Sequence, residues 1–400
     1  MTLVAALCAL LALAGMAAVL AGALAVRRFT AWPAPPPRRR PPVSILRPLC
    51  GAETGLDAAL DSLAAQAYPD LQIVLGVHAT ADPAYAAACR FAARHPTHDI
   101  AIVADPTLHG SNRKISNLIN MLPLARHATL VFSDSDVHAP PDYLDRIAAT
   151  LEVPGTGLVT TACIGRPVRP TFAALLAAAH LRHCFLPGAL LARWAGRQDC
   201  LGTTMALRRD TLAEVGGLPA LVDHVADDNV LGQLVAALGL RVALAPTITA
   251  VTVGESTLAE LWHHELRWGR TIRALVPLTF AGSVAQFPLF WALLACLAAP
   301  RVPEFPALAA AALGVRVVAA RSIDAMLALR FSLPRQRGLL RVLPARDVLS
   351  VIIVIASFLG SRVVWRGTVQ RVCGFRATAT GSRRLSRAPR ATSAGPAEMA

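Results

Sequence analysis

Two carboxylates at the end of a short apolar run have the spacing most suggestive of chemistry. The run from Thr129 to Phe132 is strand-like, and Asp134 and Asp136 follow it with one residue between them. Residues i and i+2 of an extended chain point to the same side, so both carboxylates can converge on one divalent cation. Two nearby acids on a loop can also simply be hydrated. The strand before them favours a site for Mg²⁺ or Mn²⁺ that neutralises a diphosphate.

A second pair of acids, Asp227 and Asp228, lies where a loop gives way to a helical pattern. A carboxylate here could act as general base, taking a proton from a hydroxyl as that hydroxyl attacks. Either aspartate could instead cap the helix that we expect over residues 229–238. We favour Asp228 as the base and keep Asp227 as the alternative.

The chain contains a single lysine, Lys114, among many arginines. It lies in a polar turn that leads into a helix, where a compact positive charge could contact a phosphate or uridine. Chance survival of one lysine is the other interpretation. Further along, Gly202 and Thr203 could line a sugar pocket with small side chains and backbone, or form a turn before a strand.

An amphipathic segment, 261–274, carries His264, Arg267 and Trp268 just before the chain turns strongly apolar. An arginine near a diphosphate can act as a bidentate clamp, and a tryptophan can pack against an acceptor or the membrane interface. Ordinary anchoring at a membrane surface would need the same residue types.

Composition points to a membrane protein. Of the 400 residues 54% are apolar, and the net charge is +14. The arginines fall mostly beside apolar segments, as the positive-inside rule describes, and no nucleic-acid recognition motif accompanies the charge. We therefore expect a bilayer as partner and no nucleic acid. The eight cysteines show neither C-x-x-C pairs nor zinc spacing, which favours buried thiols in a reducing compartment.

Alternating strand and helix patterns between residues 43 and 260 predict one α/β domain with a mostly parallel sheet and helices on both faces. Strand-like runs at Val43, Leu71, Ile100, Thr129, Gly157 and Val242 supply this pattern. Residues 1–28 form the predicted N-terminal membrane anchor, because basic residues follow the apolar run rather than precede it. Residues 29–42 are a Pro/Arg linker.

The segment 275–366 is predicted to hold C-terminal membrane helices, with candidate spans at 275–299, 306–320 and 347–359. Three such spans after the anchor would put the basic tail, 367–400, outside, against the positive-inside rule. We therefore favour three spans in total, with one apolar segment re-entrant or interfacial. The end of the tail has a composition typical of disorder.

These residues together resemble the family 2-like glycosyltransferases of GT-A fold, and most of all the ceramide glucosyltransferase group, family 21, with its bacterial hopanoid-associated members. The matching segments include 44–51, 112–118, 133–136, 202–209, 226–228 and 267–268. The family's Gln-x-x-Arg-Trp motif has His264 at its glutamine position. The resemblance implies that Asp82 contacts uridine, that Asp134 and Asp136 serve metal and diphosphate, and that Asp228 is the base.

By the same resemblance the chain would be an inverting enzyme of a bacterial inner membrane. It would move one sugar from a UDP-sugar to a lipid hydroxyl, with its catalytic domain in the cytoplasm. Richness in alanine, arginine and proline is typical of GC-rich bacterial genomes, and many such bacteria make hopanoids. Transfer of N-acetylglucosamine from UDP-GlcNAc to bacteriohopanetetrol is the leading expectation. Transfer of glucose from UDP-glucose to ceramide or another lipid, or a processive polysaccharide synthase, is the alternative.

Overall fold

The computed structural model describes residues 3–34, 36–336, 338–365, 368–372 and 374–375. The predicted tail therefore lies outside the described residues except for 368–372 and 374–375. The helices are α1 (Leu3–Thr30), α2 (Leu56–Ala64), α3 (Pro83–Arg94), α4 (Arg113–Met121), α5 (Tyr143–Leu151), α6 (Phe172–His180), α7 (Leu186–Trp194), α8 (Arg209–Glu214), α9 (Asp227–Ala237), α10 (Leu258–Leu275), α11 (Pro277–Gly282), α12 (Pro288–Ala298), α13 (Glu304–Phe331) and α14 (Leu343–Ser357).

The strands are β1 (Val43–Pro48), β2 (Leu71–Val77), β3 (Asp99–Ala104), β4 (Thr129–Ser133), β5 (Val137–His138), β6 (Thr156–Pro167), β7 (Thr204–Arg208), β8 (Arg241–Val253), β9 (Arg362–Trp365) and β10 (Thr368–Arg371). A π-helical turn, Leu181–Phe185, joins α6 to α7. Short 3-10 turns lie at Leu122–Leu124, Leu218–Leu221, Ser283–Gln286 and Leu339–Val342.

Eight strands form one sheet in the order β3-β2-β1-β4-β7-β6-β8-β5. The neighbours β3-β2, β2-β1, β1-β4 and β6-β8 are parallel, whereas β4-β7, β7-β6 and β8-β5 are antiparallel. Four of these seven strand pairs are parallel, so the predicted α/β fold with a mostly parallel sheet is confirmed, and the antiparallel pairs make the sheet a mixed one. The strand that makes the difference is β7, which inserts antiparallel between β4 and β6 directly after the turn at Gly202.

Two apolar cores cover the two faces of the sheet. One packs α2, α3 and α5 against strand residues such as Ile45 and Val131, and the other packs α4 and α9 against residues such as Leu46 and Phe132. Neighbouring residues of β1 and β4 thus point to opposite faces, as the period of an extended strand requires. The six predicted strands correspond to β1, β2, β3, β4, β6 and β8.

Among the described residues, two helical stretches are each long and apolar enough to cross a membrane, α1 and Phe172–Trp194. The second escaped sequence analysis, because Arg182 and His183 interrupt its apolar run. It connects β6 to β7, which pair in one sheet. A complete crossing would put those strands on opposite sides of the bilayer, so this helix packs against the sheet instead.

The predicted span 275–299 is not one straight helix. Residues Pro277–Gln286 and Pro288–Ala298 meet at an angle of 69°, as a broken span or a re-entrant loop. Pro288 explains the break, since it cannot donate a backbone hydrogen bond to the preceding turn. The predicted span 306–320 lies in α13, and 347–359 overlaps α14, which begins at Leu343. Neither helix is among the described helices that are long and apolar enough to cross a membrane.

Helices α12 and α13 lie along α1. Ala12 of α1 packs with Leu289 and Ala292 of α12 and with Ala312 of α13. A Cβ on Gly15 would come within 2.5 Å of the Ala285 carbonyl oxygen. The close approach of α1 to the turn before α12 therefore requires glycine at this position.

The two ends of α13 fix its direction. Its beginning packs at the start of α1, where Cys8 contacts Phe305. Its end reaches the end of α1, where the rings of Phe29 and Phe331 are 5.9 Å apart. Therefore α13 runs parallel to α1.

Candidate active site

The carboxyl ends of β1, β2 and β4 meet at one edge of the sheet, where open α/β sheets bind ligands. Asp82 lies after β2 and caps α3, with Pro83 as the first helical residue. Its carboxylate accepts hydrogen bonds from the Ala84 amide at 2.8 Å and from the Gly51 amide at 2.7 Å. Asp82 thereby ties the loop after β1 to the helix after β2. Its contact with uridine stays a prediction.

Asp134 and Asp136 lie between β4 and β5, and the backbone holds both in place. The Asp134 amide donates to the Thr203 carbonyl at 3.3 Å, and the Thr252 amide donates to the Asp136 carbonyl at 3.0 Å. Burial, with the nearby negative charges of Asp134 and Glu53, raises the pKa of Asp136 to about 7. A positive charge bound beside these carboxylates would relieve the repulsion between them.

Lys114 bridges two acidic stations, Asp134 with Asp136 and Asp227 with Asp228. Its Nζ lies 2.8 Å from Asp134 Oδ1 and 3.3 Å from Asp227 Oδ2. Burial alone would lower the pKa of Lys114, but these two carboxylates raise it overall, so the side chain is charged. Asn112 caps the lysine's helix through the Ile115 amide and donates to the His224 carbonyl at 2.7 Å. The lysine is therefore held in place by its helix as well as by its partners.

Asp227 and Asp228 open α9 but neither serves as its N-cap, which is Ala226 without a side-chain bond. The helix begins at Asp227, two residues before the predicted start. Asp227 pairs with the lysine, whereas Asp228 Oδ2 accepts from the Gly202 amide at 2.9 Å and Oδ1 from the Asn229 amide at 2.7 Å. Burial and the neighbouring Asp227 raise the pKa of Asp228 to about 6. A carboxylate with this pKa is suited to accept a proton near neutral pH.

The turn at Gly202 and Thr203 joins both acidic stations through its backbone. The Gly202 amide contacts Asp228, and the Thr203 carbonyl contacts the Asp134 amide. A Cβ on Gly202 would lie 2.7 Å from Asp228 Oδ2, so only glycine fits. The interpretation as a turn before a strand is right in structural terms, and the sugar contact stays a prediction.

Helix α10 carries His264, Arg267 and Trp268 and starts with a capping box between Thr257 and Glu260. The His264 ring packs edge-on against the Trp268 ring, with centroids 4.8 Å apart.

Helix α10 is joined to the acidic stations through β8. His264 Nδ1 bonds to Glu255, which follows β8 just beyond the residue that contacts Asp136. Burial raises the pKa of Glu255, but the hydrogen bond from His264 and the charge of Arg267 lower it overall.

Two charged residues of this site escaped sequence analysis as functional residues. Arg47 is fully buried at the end of β1, where Nη2 donates to Ser133 Oγ at 2.9 Å and Nη1 to the Ala59 carbonyl at 2.9 Å. Burial lowers its pKa to about 10, yet it remains a cation beneath Asp134 and Asp136. Its signal in the sequence was an arginine inside an apolar strand. Glu53 gave no such signal, because it lies in a loop whose path only the fold defines.

Within the part of the chain that the structure describes, no three His, Cys, Asp or Glu side chains are grouped as a complete set of metal ligands. Asp134 and Asp136 still fit a divalent ion, since Mg²⁺ in phosphate-transferring sites is held by one or two carboxylates together with substrate oxygens and water. Burial first, and then the charges of Asp134 and Glu53, raise the pKa of Asp136, and a bound cation would offset both effects.

Comparison with known families decides the identity. The model of glycosyl transferase family 21 matches residues 7–374. The chain belongs to this family. Its resemblance to the ceramide glucosyltransferase group is confirmed, whereas its place among the hopanoid-associated members stays a prediction.

Two relatives illustrate the range of this likeness. Ceramide glucosyltransferase 1 of Caenorhabditis elegans is 21% identical over 241 residues, which is 59% of this chain and 51% of that protein. The match thus spans about half the length of the relative. A mannosyltransferase from Pyrobaculum calidifontis, solved with GDP-Man and Mn²⁺, is 20% identical with a TM-score of 0.50, covering 89% of this chain and 99% of the other. At this identity the second likeness supports the GT-A fold alone.

Proposed function

We propose that this family 21 enzyme transfers a single sugar, with inversion, from a UDP-sugar to the hydroxyl of a membrane lipid. The observation that carries the proposal is the joining of two acidic stations at one sheet edge by Lys114 and the Gly202 turn. Such an arrangement meets both needs of glycosyl transfer, charge for the leaving diphosphate and a base for the attacking hydroxyl.

Each residue of the cluster has a defined role in this proposal. Asp134 and Asp136 would hold Mg²⁺ or Mn²⁺, which supplies Lewis-acid stabilisation of the diphosphate charge when bound. Lys114 adds a fixed positive charge beside Asp134. Asp228 takes the proton from the lipid hydroxyl, while Asp227 keeps the lysine in place and raises the pKa of the base.

The remaining predicted contacts complete the donor and acceptor sites. Asp82 would contact uridine from the loop edge, and Gly202 and Thr203 would line the sugar pocket. On α10, Arg267 would clamp the diphosphate, and Trp268 with His264 would face the acceptor. His264 occupies the position of the family's glutamine. It bonds to Glu255, which lies outside the motif.

A lipid acceptor is supported by the apolar helices attached to the catalytic domain and by a curated relative named as a ceramide glucosyltransferase. The leading pair is UDP-GlcNAc and bacteriohopanetetrol, supported by a composition typical of GC-rich bacteria, many of which make hopanoids. UDP-glucose and ceramide form the second pair, which the named relative favours.

In this proposal α1 crosses a bacterial inner membrane with its N-terminus outside, since Arg27 and Arg28 lie in its last turn. Helices α12 and α13 run beside α1 as a hairpin, so the chain returns to the cytoplasmic side before α14. The catalytic domain and the basic tail then lie on the same side of the bilayer, as the positive-inside rule requires.

The test is to identify the product. Purified full-length protein with Mn²⁺ would be given UDP-GlcNAc, UDP-glucose or UDP-galactose, each with bacteriohopanetetrol, ceramide or diacylglycerol, and the lipids examined by mass spectrometry and by NMR of the anomeric proton. We expect one singly glycosylated lipid with inverted configuration. A polymeric product, or a retained configuration, would contradict the proposal.

A further inference from the structure

An open cleft of about 780 Å³ lies between α13 and the segment that precedes α14, apart from the acidic stations. Its wall carries Arg321, Arg335 and Arg341, together with Asp324 and Gln336. The three arginines are exposed, and within the described ranges none of them has an ion pair or a hydrogen bond to its side chain. They are free to bind a ligand.

The one carboxylate of the wall does not neutralise them. Asp324 already accepts from Arg182 Nε at 2.5 Å and is 3.2 Å from His183 Nε2. Arg182 is fully buried, and its Nη1 and Nη2 atoms have no hydrogen-bond partner in the part of the chain that the structure describes. The cleft therefore has an excess of positive charge, because the buried guanidinium of Arg182 already pairs with Asp324, the only carboxylate among the described residues that line the cleft.

Guanidinium groups bind phosphate through paired hydrogen bonds and keep their charge at any physiological pH. Gln336 is held at the edge of the cleft, because its side-chain amide donates to the Gly165 carbonyl at 2.6 Å. A phosphate ester would suit the three guanidinium groups, and the volume is that of a small-molecule site.

The position of the cleft indicates where that phosphate comes from. Asp324 lies two turns before the end of α13, beside the end of α1, whose last turn carries Arg28 over the Trp194 ring at 3.7 Å. Tryptophan and arginine at a helix end mark a membrane interface. Near the same end of α13, Leu329 is 88% exposed, as expected of a side chain at an apolar boundary.

We propose that this cleft binds the headgroup phosphate of an anionic phospholipid of the phosphatidylglycerol type on the cytoplasmic leaflet. The inference rests on the proposed membrane orientation but not on the sugar or the acceptor. Basic pockets between membrane helices on the cytoplasmic side are suited to such headgroups. The lipid would hold the catalytic domain at a fixed height over the bilayer.

The test is binding of dioctanoyl phosphatidylglycerol to full-length protein in neutral detergent, followed by native mass spectrometry. Dioctanoyl phosphatidylcholine, glycerol 3-phosphate and inorganic phosphate are the comparison ligands. Each of R321Q, R335Q and R341Q should weaken phosphatidylglycerol binding about fivefold, and the triple variant about a hundredfold. The matched control is the triple variant R38Q/R39Q/R301Q, which removes three exposed arginines elsewhere and should bind as the wild type does.

Equal affinity for phosphatidylcholine, or equal loss in the control variant, would overturn the site, since binding would then follow general surface charge. Affinity for glycerol 3-phosphate or inorganic phosphate as high as that for the lipid would overturn the lipid assignment and indicate a soluble ligand. No sugar donor or acceptor enters this assay. A failure of the cleft is therefore distinguishable from a failure of the glycosyl-transfer proposal.

Discussion

Replacing Asp228 by asparagine should separate activity from stability. The side chain lies between two backbone donors, the amides of Gly202 and Asn229, beside the negative Asp227. Asparagine has the same shape but only one acceptor oxygen, and it cannot take up a proton. We expect the variant to fold normally and to lose transfer activity.

The structure gives the size of both effects. The pKa of about 6 lies about two pH units above the ordinary value of 3.8, so the charged form costs the folded state about 3 kcal/mol at pH 7. Asparagine removes this cost but leaves one amide unpaired, at about 1–3 kcal/mol. The variant should thus be as stable as the wild type or up to about 2 kcal/mol more stable. Loss of the base should lower kcat about 10²- to 10⁴-fold.

The pH dependence of stability supplies a check on the sign. The pKa of Asp228 is higher in the folded than in the unfolded state. The free energy of unfolding of the wild type therefore decreases as the pH rises from about 4 to about 6. The advantage of the variant should therefore grow over the same interval. Thermal unfolding at several pH values and steady-state kinetics would measure both quantities, with the exposed Asp210→Asn as the matched control. Full turnover in Asp228→Asn would refute the assignment of the base.

Four further predictions concern the same cluster. The kcat/KM should fall below a pH of about 6, and Asp227→Asn should move this limb to lower pH by removing a neighbouring negative charge; an unmoved limb would contradict the coupling. Affinity for Mn²⁺, measured by titration calorimetry, should fall about tenfold per pH unit below about pH 7 as protons compete for Asp136. Activity should vanish with EDTA and in Asp134→Asn, and activity that survives EDTA after washing would exclude the metal role. Lys114→Met should cost about 3 kcal/mol of stability by leaving two carboxylates unpaired, and unchanged thermal unfolding would show that neither ion pair matters.

Local patterns were sufficient for six of the eight strands of the main sheet and for choosing the candidate site residues. Alternation and apolar runs located β1, β2 and β4, and their parallel order brings Asp82 and Asp134 to one edge. The single lysine was noticed for its rarity, and the structure places it against both acidic stations. These features depend on short segments of chain, whose structure can be predicted from the spacing of their apolar and polar residues.

The features that sequence analysis missed depend on distant partners. The antiparallel insertion of β7 follows from the turn at Gly202, whose glycine is required by contact with Asp228, 26 residues away. The apolar helix from Phe172 to Trp194 was not predicted, because Arg182 interrupts its apolar run. In the structure this charge pairs with Asp324 on α13. A hydropathy pattern contains no information about such pairs. For the same reason the hydropathy pattern predicted one continuous span, 275–299, where Pro288 interrupts the helix and divides it in two.

The most direct test of the central claim is lipid-dependent release of UDP by purified full-length protein with Mn²⁺. We predict that UDP appears only when both a UDP-sugar and a lipid with a free hydroxyl are present, and that Asp228→Asn releases none above background. If folded protein releases no UDP with any of the lipids tested and binds no UDP with Mn²⁺ present, the account of this site as a UDP-sugar:lipid glycosyltransferase is wrong.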